Sequence, residues 1–167
     1  MNTSILLDTS FLITLVDANR PHHSVAKEYY KLMIHDKHPM YFSTLVASEF
    51  SIKQSIEILP LSNFRQLTFG MTHAVMSAKL FNGLGQRDEG DKREIVREDI
   101  KLLAQATQEK IDFVITEDRS TFYKYCDRLR SAGLTQVRPI KLIDGFDPTS
   151  LDLSGQADLL AELSAQN

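Results

Sequence analysis

Short apolar runs alternate with amphipathic stretches along this chain of 167 residues. Two of the runs, residues 4–7 and 113–116, are almost wholly apolar, which is typical of strands buried on both faces of a sheet. Three weaker runs complete the set. The predicted strands are residues 4–7, 40–42, 66–69, 113–116 and 136–143.

Between these runs, apolar residues recur at three- and four-residue spacings, which predicts helices. The predicted helices are residues 11–16, a segment beginning at Pro21, and residues 44–58, 71–81, 93–110 and 120–131. Thr44 is expected to cap the helix that it begins. Because strands and helices alternate, the sequence predicts an α/β fold with a largely parallel sheet and helices on both faces.

Two segments stand outside this alternation. Residues 82–92 are strongly polar and contain glycine, so they are predicted to form an exposed, mobile loop. Residues 147–167 carry only a weak helical pattern, which predicts a C-terminal tail with a helix that docks on the body or on a partner.

Composition and charge narrow the class of protein. Hydrophobic residues make up 43% of the chain and charged residues 25%, which is ordinary for one globular domain. The formal charge of −3 gives no overall basic field, so nucleic-acid binding would have to come from a local patch. The apolar stretch over residues 5–16 is interrupted by polar residues and is too short to cross a bilayer, so a cytoplasmic protein without a membrane partner is expected.

Two carboxylates directly follow predicted strands. Asp8 ends the first strand, and Asp118 follows the strand at residues 113–116. In open α/β sheets the carboxyl ends of the strands are where ligands bind. The alternative for either residue is a helix cap at a strand-to-helix turn.

Two further carboxylates interrupt apolar faces of predicted helices. Asp99 lies four residues after Ile95 and four before Leu103, whereas its neighbour Glu98 is expected to point into solvent. Glu49 lies in a similar stripe with Leu45, Ile52 and Ile56. Taken singly, each acid has an alternative: an ion pair with a buried arginine, or a place at the edge of its helix.

Four such acids together point to a cation. Burying several carboxylates without partners costs several kcal/mol per ion. A hard divalent cation removes that penalty, and sites built only from oxygen ligands suit Mg²⁺ or Mn²⁺. The sequence therefore predicts a divalent metal site.

The acids also stand in recognisable local motifs. Residues 5–13 read Ile-Leu-Leu-Asp-Thr-Ser-Phe-Leu-Ile, and residues 41–50 end in Ala-Ser-Glu-Phe. Asp99 is followed by aliphatic and small residues, and residues 113–118 read Phe-Val-Ile-Thr-Glu-Asp. In this order the motifs resemble those of PIN-domain nucleases, especially VapC-type toxins of toxin–antitoxin pairs, over residues 4–143. The long charged loop at 82–92, and Ser120 where many members carry another acid, depart from the family pattern.

The resemblance implies a three-layer α/β/α PIN-like fold, with a nuclease domain over residues 1–146 and a tail over residues 147–167. It implies a metal-dependent endoribonuclease, the toxin of a pair, with RNA as substrate, a cognate antitoxin as partner and a homodimer as assembly. Mg²⁺ or Mn²⁺ would be the cofactor, with Glu49 acting as a ligand or as a base for water. The residues implied as catalytic and as metal ligands are Asp8, Glu49, Asp99 and Asp118.

Hydroxyl residues would support these acids. On the same resemblance, Thr116 would orient Asp118 or a water at the metal, and Ser10 would support the site from the first motif.

A phosphate-binding surface must come from a local excess of positive charge. The segment that follows Asp118 is basic, which favours it as an RNA-binding strip. The residues predicted to contact RNA are Arg119, Lys124, Arg128 and Arg130. A second option is the trio Arg93, Arg97 and Lys101, and the alternative for either set is a solvated helix face.

Two other functions remain open. One is a catalytically silent PIN-like scaffold that binds RNA or a protein. It would be favoured if Ser120 and the long loop at 82–92 prevented the acids from binding a metal. A phosphatase of the haloacid-dehalogenase type would need a second aspartate two residues after Asp8, where this chain has Ser10.

Overall fold

A parallel sheet of five strands organises the part of the chain that the computed structural model describes, residues 2–117 and 120–153. Its strand order is β3-β2-β1-β4-β5, and every neighbouring pair is parallel. The strands are β1 (Ile5–Leu7), β2 (Met40–Ser43), β3 (Phe64–Leu67), β4 (Phe113–Thr116) and β5 (Arg138–Lys141). Together with the helices, this confirms the predicted three-layer α/β/α fold.

Six α-helices connect the strands within the same described residues. They are α1 (Thr9–Val16), α2 (His23–His35), α3 (Thr44–Lys53), α4 (Met71–Gly83), α5 (Arg93–Gln108) and α6 (Phe122–Ser131). Parallel neighbours require crossover connections, and helices supply them here. None of the helices in the described ranges has the length and apolar composition needed to cross a membrane.

Several predicted boundaries differ from the structure by about two residues, and three features near β2 and β3 are wrong for local reasons. α3 ends at Lys53 instead of residue 58, because Gln54 is extended and Ser55 caps a separate 3₁₀ turn at Ile56–Ile58. Ser43, not Thr44, caps α3, since its side chain accepts a hydrogen bond from the Leu45 N–H at 3.1 Å. The third strand begins two residues earlier than predicted, at Phe64, where it pairs with Met40 of β2.

The core lies around the central strand. All three residues of β1 have no exposed surface, and β4 is buried along its whole length. From β1 the chain goes to β2 and β3 on one side of the sheet and returns to β4 on the other. The carboxyl ends of β1 and β4 therefore form a topological switch point, where α/β sheets bind their ligands.

The predicted C-terminal tail is described only at its start. Pro148–Leu151 forms a 3₁₀ turn with Leu151 buried, and the carbonyl of Leu151 accepts a hydrogen bond from the Thr3 hydroxyl at 2.8 Å. The first residues of the tail thus pack on the body. Residues 154–167, and with them the predicted docking helix, lie outside the described residues.

Ser43 links the sheet to two helices and should matter for stability. Its buried hydroxyl caps α3 and donates to Gln105 Oε1 at 2.5 Å, and the amide nitrogen of Gln105 has no partner within the described residues. Ser43→Ala removes the cap and leaves both ends of a buried amide unpaired. We expect a loss of about 2–3 kcal/mol in the free energy of unfolding, measured by urea denaturation.

Ser51→Ala is the matched control for this prediction. Ser51 lies on the exposed side of the same helix, and its hydroxyl donates to the Ala47 carbonyl at 2.7 Å. Its loss should change stability by less than about 0.5 kcal/mol. Equal effects of the two substitutions would contradict the role assigned to Ser43.

Candidate functional site

An acidic cavity of about 420 Å³ opens at the switch point. The end of β1, the first half of α3 and the exposed side of α5 line it. The carboxylates among its lining residues are those of Asp8, Glu49, Glu94, Glu98 and Asp99. Three of the four predicted site acids therefore share one cavity.

Asp8 is held by two hydroxyl groups. It occupies the N-cap position of α1, yet its side chain makes no capping hydrogen bond, so the cap alternative does not explain this carboxylate. Asp8 Oδ2 instead accepts hydrogen bonds from Ser10 Oγ at 2.6 Å and from Thr116 Oγ1 at 2.7 Å. Ser10 Oγ in turn accepts a hydrogen bond from the Glu117 N–H at 2.8 Å. These bonds connect the end of β1 to the end of β4.

The surroundings of Asp8 disfavour its charge. Burial raises the pKa of Asp8, and the nearby negative charge of Glu49 raises it further. The hydrogen bonds from Ser10 and Thr116 act in the opposite direction but do not cancel the effect of burial. A cation placed beside Asp8 would favour its charged form.

Glu49 reaches the cavity from an exposed helix face. The buried residues of α3 are Val46 and Phe50, whereas Ile52 is 82% exposed. The expectation that Glu49 lies on a buried stripe with Ile52 is therefore wrong, since the helix is turned so that this side faces outward. Glu49 Oε2 accepts a hydrogen bond from Thr9 Oγ1 at 2.6 Å, which fixes it beside the end of β1.

Asp99 lies at the edge of the buried face of α5. Val96 and Ile100 are buried, while Ile95 is 48% exposed and lines the cavity with Asp99. Asp99 Oδ2 accepts a hydrogen bond from Thr121 Oγ1 at 2.5 Å, which links α5 to the residue that precedes α6.

The helix edge places two more acids at the cavity. Glu98, predicted to point away from the site, contributes to the cavity wall while its carboxylate pairs with Lys101 at 2.6 Å. Glu94 precedes it by one turn and was missed in the sequence. The signal was present as the pair Glu94 and Glu98 at a four-residue spacing, which places both on one side of the helix.

The fourth predicted acid, Asp118, and Arg119 beside it lie outside the described residues. The segment before them is anchored by Glu117, which pairs with Arg20 and with His22 Nδ1 at 3.1 Å and accepts the Thr14 hydroxyl at 2.9 Å. Burial acts to raise the pKa of Glu117, but the hydrogen bonds from Arg20, His22 and Thr14 outweigh it and lower this pKa. Glu117 is thus a charged carboxylate whose partners balance its charge. These contacts tie the end of β4 to α1 and to the turn after it.

The donor set suits a hard divalent cation. Asp8, Glu49 and Asp99 offer only oxygen atoms, which Mg²⁺ and Mn²⁺ prefer. Hydroxyl groups donate to all three acids, and neither Asp8 nor Glu49 forms an ion pair within residues 2–117 and 120–153. In those same ranges, no three acidic, histidine or cysteine side chains are grouped tightly enough to form a preassembled metal site. These carboxylates line an open cavity whose chemistry fits the ion.

The predicted RNA-binding strip on α6 is engaged with the loop that precedes α5. Lys124 pairs with Asp88 and Asp91 at 2.9 and 2.5 Å, and Arg128 pairs with Asp88 at 2.6 Å. The hydrogen bonds that Lys124 donates to Asp91 and Asp88 raise its pKa. Arg130 makes a longer contact, 3.6 Å, with Asp127. The acidic residues of the predicted mobile loop therefore partly neutralise the strip.

These ion pairs should hold the loop at residues 82–92 against α6 and so limit how easily it opens. In Lys124→Ala/Arg128→Ala, trypsin should cleave after Arg87 several-fold faster than in the unmodified chain, because Asp88 and Asp91 lose their cationic partners. Digestion followed by mass spectrometry measures the rate. Arg130→Ala, on the same helix but outside these pairs, should leave it unchanged. The same rate in all three proteins would show that the ion pairs do not hold the loop.

Comparison with protein-family models identifies a family for this chain. The family model described as PIN domain matches residues 5–128, a range that holds Asp8, Glu49, Asp99 and Asp118. A search of curated proteins finds no significant match.

Solved structures with this fold come from several bacteria. VapBC2 from Rickettsia felis, bound to a DNA fragment from its promoter, matches with a TM-score of 0.56 and 11% identity, over 82% of this chain and 98% of that one. FitAcB from Neisseria gonorrhoeae matches with a TM-score of 0.57 and 18% identity, over 86% and 97%. DNA-bound VapBC from Salmonella typhimurium matches with a TM-score of 0.54 and 14% identity, over 84% and 98%. At sequence identities this low, the similarity shows a shared fold.

Proposed function

Because the chain belongs to the PIN-domain family, we propose that it is a metal-dependent endoribonuclease, the toxin of a toxin–antitoxin pair. One observation carries the proposal: Asp8, Glu49 and Asp99, brought from three separate elements, line one open cavity at the switch point of the sheet. A hydroxyl group donates a hydrogen bond to each of these acids and so helps to position it at the cavity.

The proposed roles follow from the placement of the acids. Asp8, Asp99 and Asp118 would hold Mg²⁺ or Mn²⁺, and Glu49, the most exposed of the described trio, would be a further ligand or the base that takes a proton from the attacking water. The bound ion would supply a more acidic water and positive charge beside the phosphate. Ser10 and Thr116 would keep Asp8 oriented toward the cavity.

A protein partner belongs to the same proposal. Two of the similar structures are VapBC assemblies, which supports a cognate antitoxin for this chain. We place the nuclease unit in residues 1–146 and treat residues 147–167 as a tail that contributes to docking or to a homodimer. The buried Leu151 supports a tail that starts against the body.

The test is cleavage of end-labelled RNA, both structured and unstructured, by the purified chain. We expect cleavage with Mn²⁺ or Mg²⁺ and none with EDTA, because without the ion the cavity acids repel the RNA backbone. Cleavage that persists in EDTA would contradict metal dependence. RNA binding without any cleavage would favour the silent scaffold over the nuclease.

A further inference from the structure

A basic groove lies next to the acidic cavity, on the other side of α5. We propose that this groove binds the backbone of single-stranded RNA that enters the cavity, an inference that rests on the nuclease function proposed above. The groove has a volume of about 420 Å³ and runs between α4 and α5. Its cationic lining residues are Arg93, Arg97 and Lys101.

The two arginines are available to a ligand. Both are exposed, and within the described residues neither forms an ion pair. Lys101 pairs with Glu98 at the boundary between groove and cavity. In contrast, Lys124 and Arg128 of the strip predicted on α6 already pair with carboxylates of the loop. The structure thus favours α5 over α6 as the place where phosphates bind.

The spacing of the cations suits a polyanion. Arg93, Arg97 and Lys101 follow one another at four-residue intervals, so they rise about 6 Å per step and span about 12 Å along the helix. Asp99 and Glu94 lie on the same helix but face the cavity. A strand bound along the cations would therefore lie beside the acids without crossing a second element.

Aromatic rings complete the groove. Phe69 and Phe81 are among its lining residues, and the Arg93 guanidinium lies over the Phe81 ring at 5.9 Å from its centroid. Cations that follow the backbone together with aromatic faces for the bases are the combination that binds single strands without sequence preference. This distinguishes the groove from a plain solvated helix face.

Binding as a function of salt tests the proposal. A labelled single-stranded RNA is titrated with the Asp8→Asn protein, which should cleave it too slowly to matter during the titration, and fluorescence anisotropy is followed at several KCl concentrations. Adding Arg93→Ala/Arg97→Ala should weaken binding at low salt and lower the log–log salt slope by about 1.4, since each phosphate contact on a single strand contributes about 0.7. Arg93→Lys/Arg97→Lys should keep the slope, because it keeps the charges.

Lys27→Ala/Lys31→Ala is the matched control. These lysines are exposed on α2, at the same four-residue spacing, and form no ion pair within the described residues. Their loss removes the same net charge and should leave the slope unchanged. A slope that falls equally in both double variants would overturn the groove as a site, since only net charge would then matter.

Two further results separate this inference from the proposed function. In the first, the unmodified chain cleaves RNA, but loss of Arg93 and Arg97 changes neither the RNA affinity nor the salt slope. The groove assignment is then wrong while the nuclease proposal stands, and an acidic protein segment becomes the better candidate ligand for the groove. If the Asp8→Asn protein binds RNA through the arginines but the unmodified chain never cleaves, the groove stands and the nuclease proposal fails. No RNA binding by the Asp8→Asn protein would overturn the groove assignment.

Discussion

Asp99→Asn is expected to lower RNA cleavage by roughly three orders of magnitude without loss of the fold. Removing a carboxylate from the proposed metal site should remove several kcal/mol of stabilisation in the transition state, and about 4 kcal/mol corresponds to about 10³ in rate. The asparagine oxygen can still accept the hydrogen bond from Thr121, so the link between α5 and the start of α6 should survive. Asp8→Asn should have an effect of similar size.

Glu98→Gln is the matched control for Asp99→Asn. Glu98 is the next residue on the same helix and also lines the cavity, but its carboxylate is paired with Lys101. Single-turnover cleavage with saturating Mn²⁺ should stay close to that of the unmodified chain. Full activity in Asp99→Asn, or an equal loss in Glu98→Gln, would contradict the assignment of the site acids.

Thr116→Val is expected to weaken metal binding by about 10–100-fold, the usual cost of removing a group that orients a ligand. Thr116 is fully buried at the end of β4, and its hydroxyl donates to Asp8 Oδ2 at 2.7 Å. Valine keeps the shape of the side chain but removes this donor, so Asp8 would keep the hydrogen bond from Ser10 and lose the one that ties it to β4. Cleavage should then need much more Mn²⁺ to reach its half-maximal rate.

Thr116→Ser separates the hydroxyl from the methyl group. It retains the donor to Asp8, so its Mn²⁺ requirement should stay near that of the unmodified chain. Serine and valine variants with the same Mn²⁺ requirement would mean that Thr116 contributes only packing. Thermal unfolding of both variants checks that they are folded under the assay conditions.

The main features of the fold could be predicted from local patterns. β4 was predicted at its observed bounds because an apolar run followed by polar residues is unambiguous when both faces are buried. The predicted position of β3 is two residues too late. β3 is an edge strand with Arg65 and Gln66 exposed, so no continuous apolar run marks it in the sequence. The helix predicted for α3 is too long, because apolar residues continue beyond Lys53 and give no sign of the extended backbone at Gln54.

The candidate site was only partly accessible from the sequence. The acids could be found because strand ends and helix stripes are local features. The hydroxyl contacts could not be found in this way. Thr116 and Asp8 are 108 residues apart, and it is the pairing of β1 with β4 that brings them together. For the same reason, counting charges on α6 did not reveal that Asp88, 40 residues before Arg128, would neutralise it.

Calorimetric titration of Mn²⁺ into the RNA-free chain is the most direct measurement of whether this cavity holds a divalent ion. We predict saturable binding by the unmodified chain, the same binding in Glu98→Gln and its loss in Asp8→Asn. No binding by the unmodified chain, or undiminished binding in Asp8→Asn, would contradict a metal site built on these carboxylates.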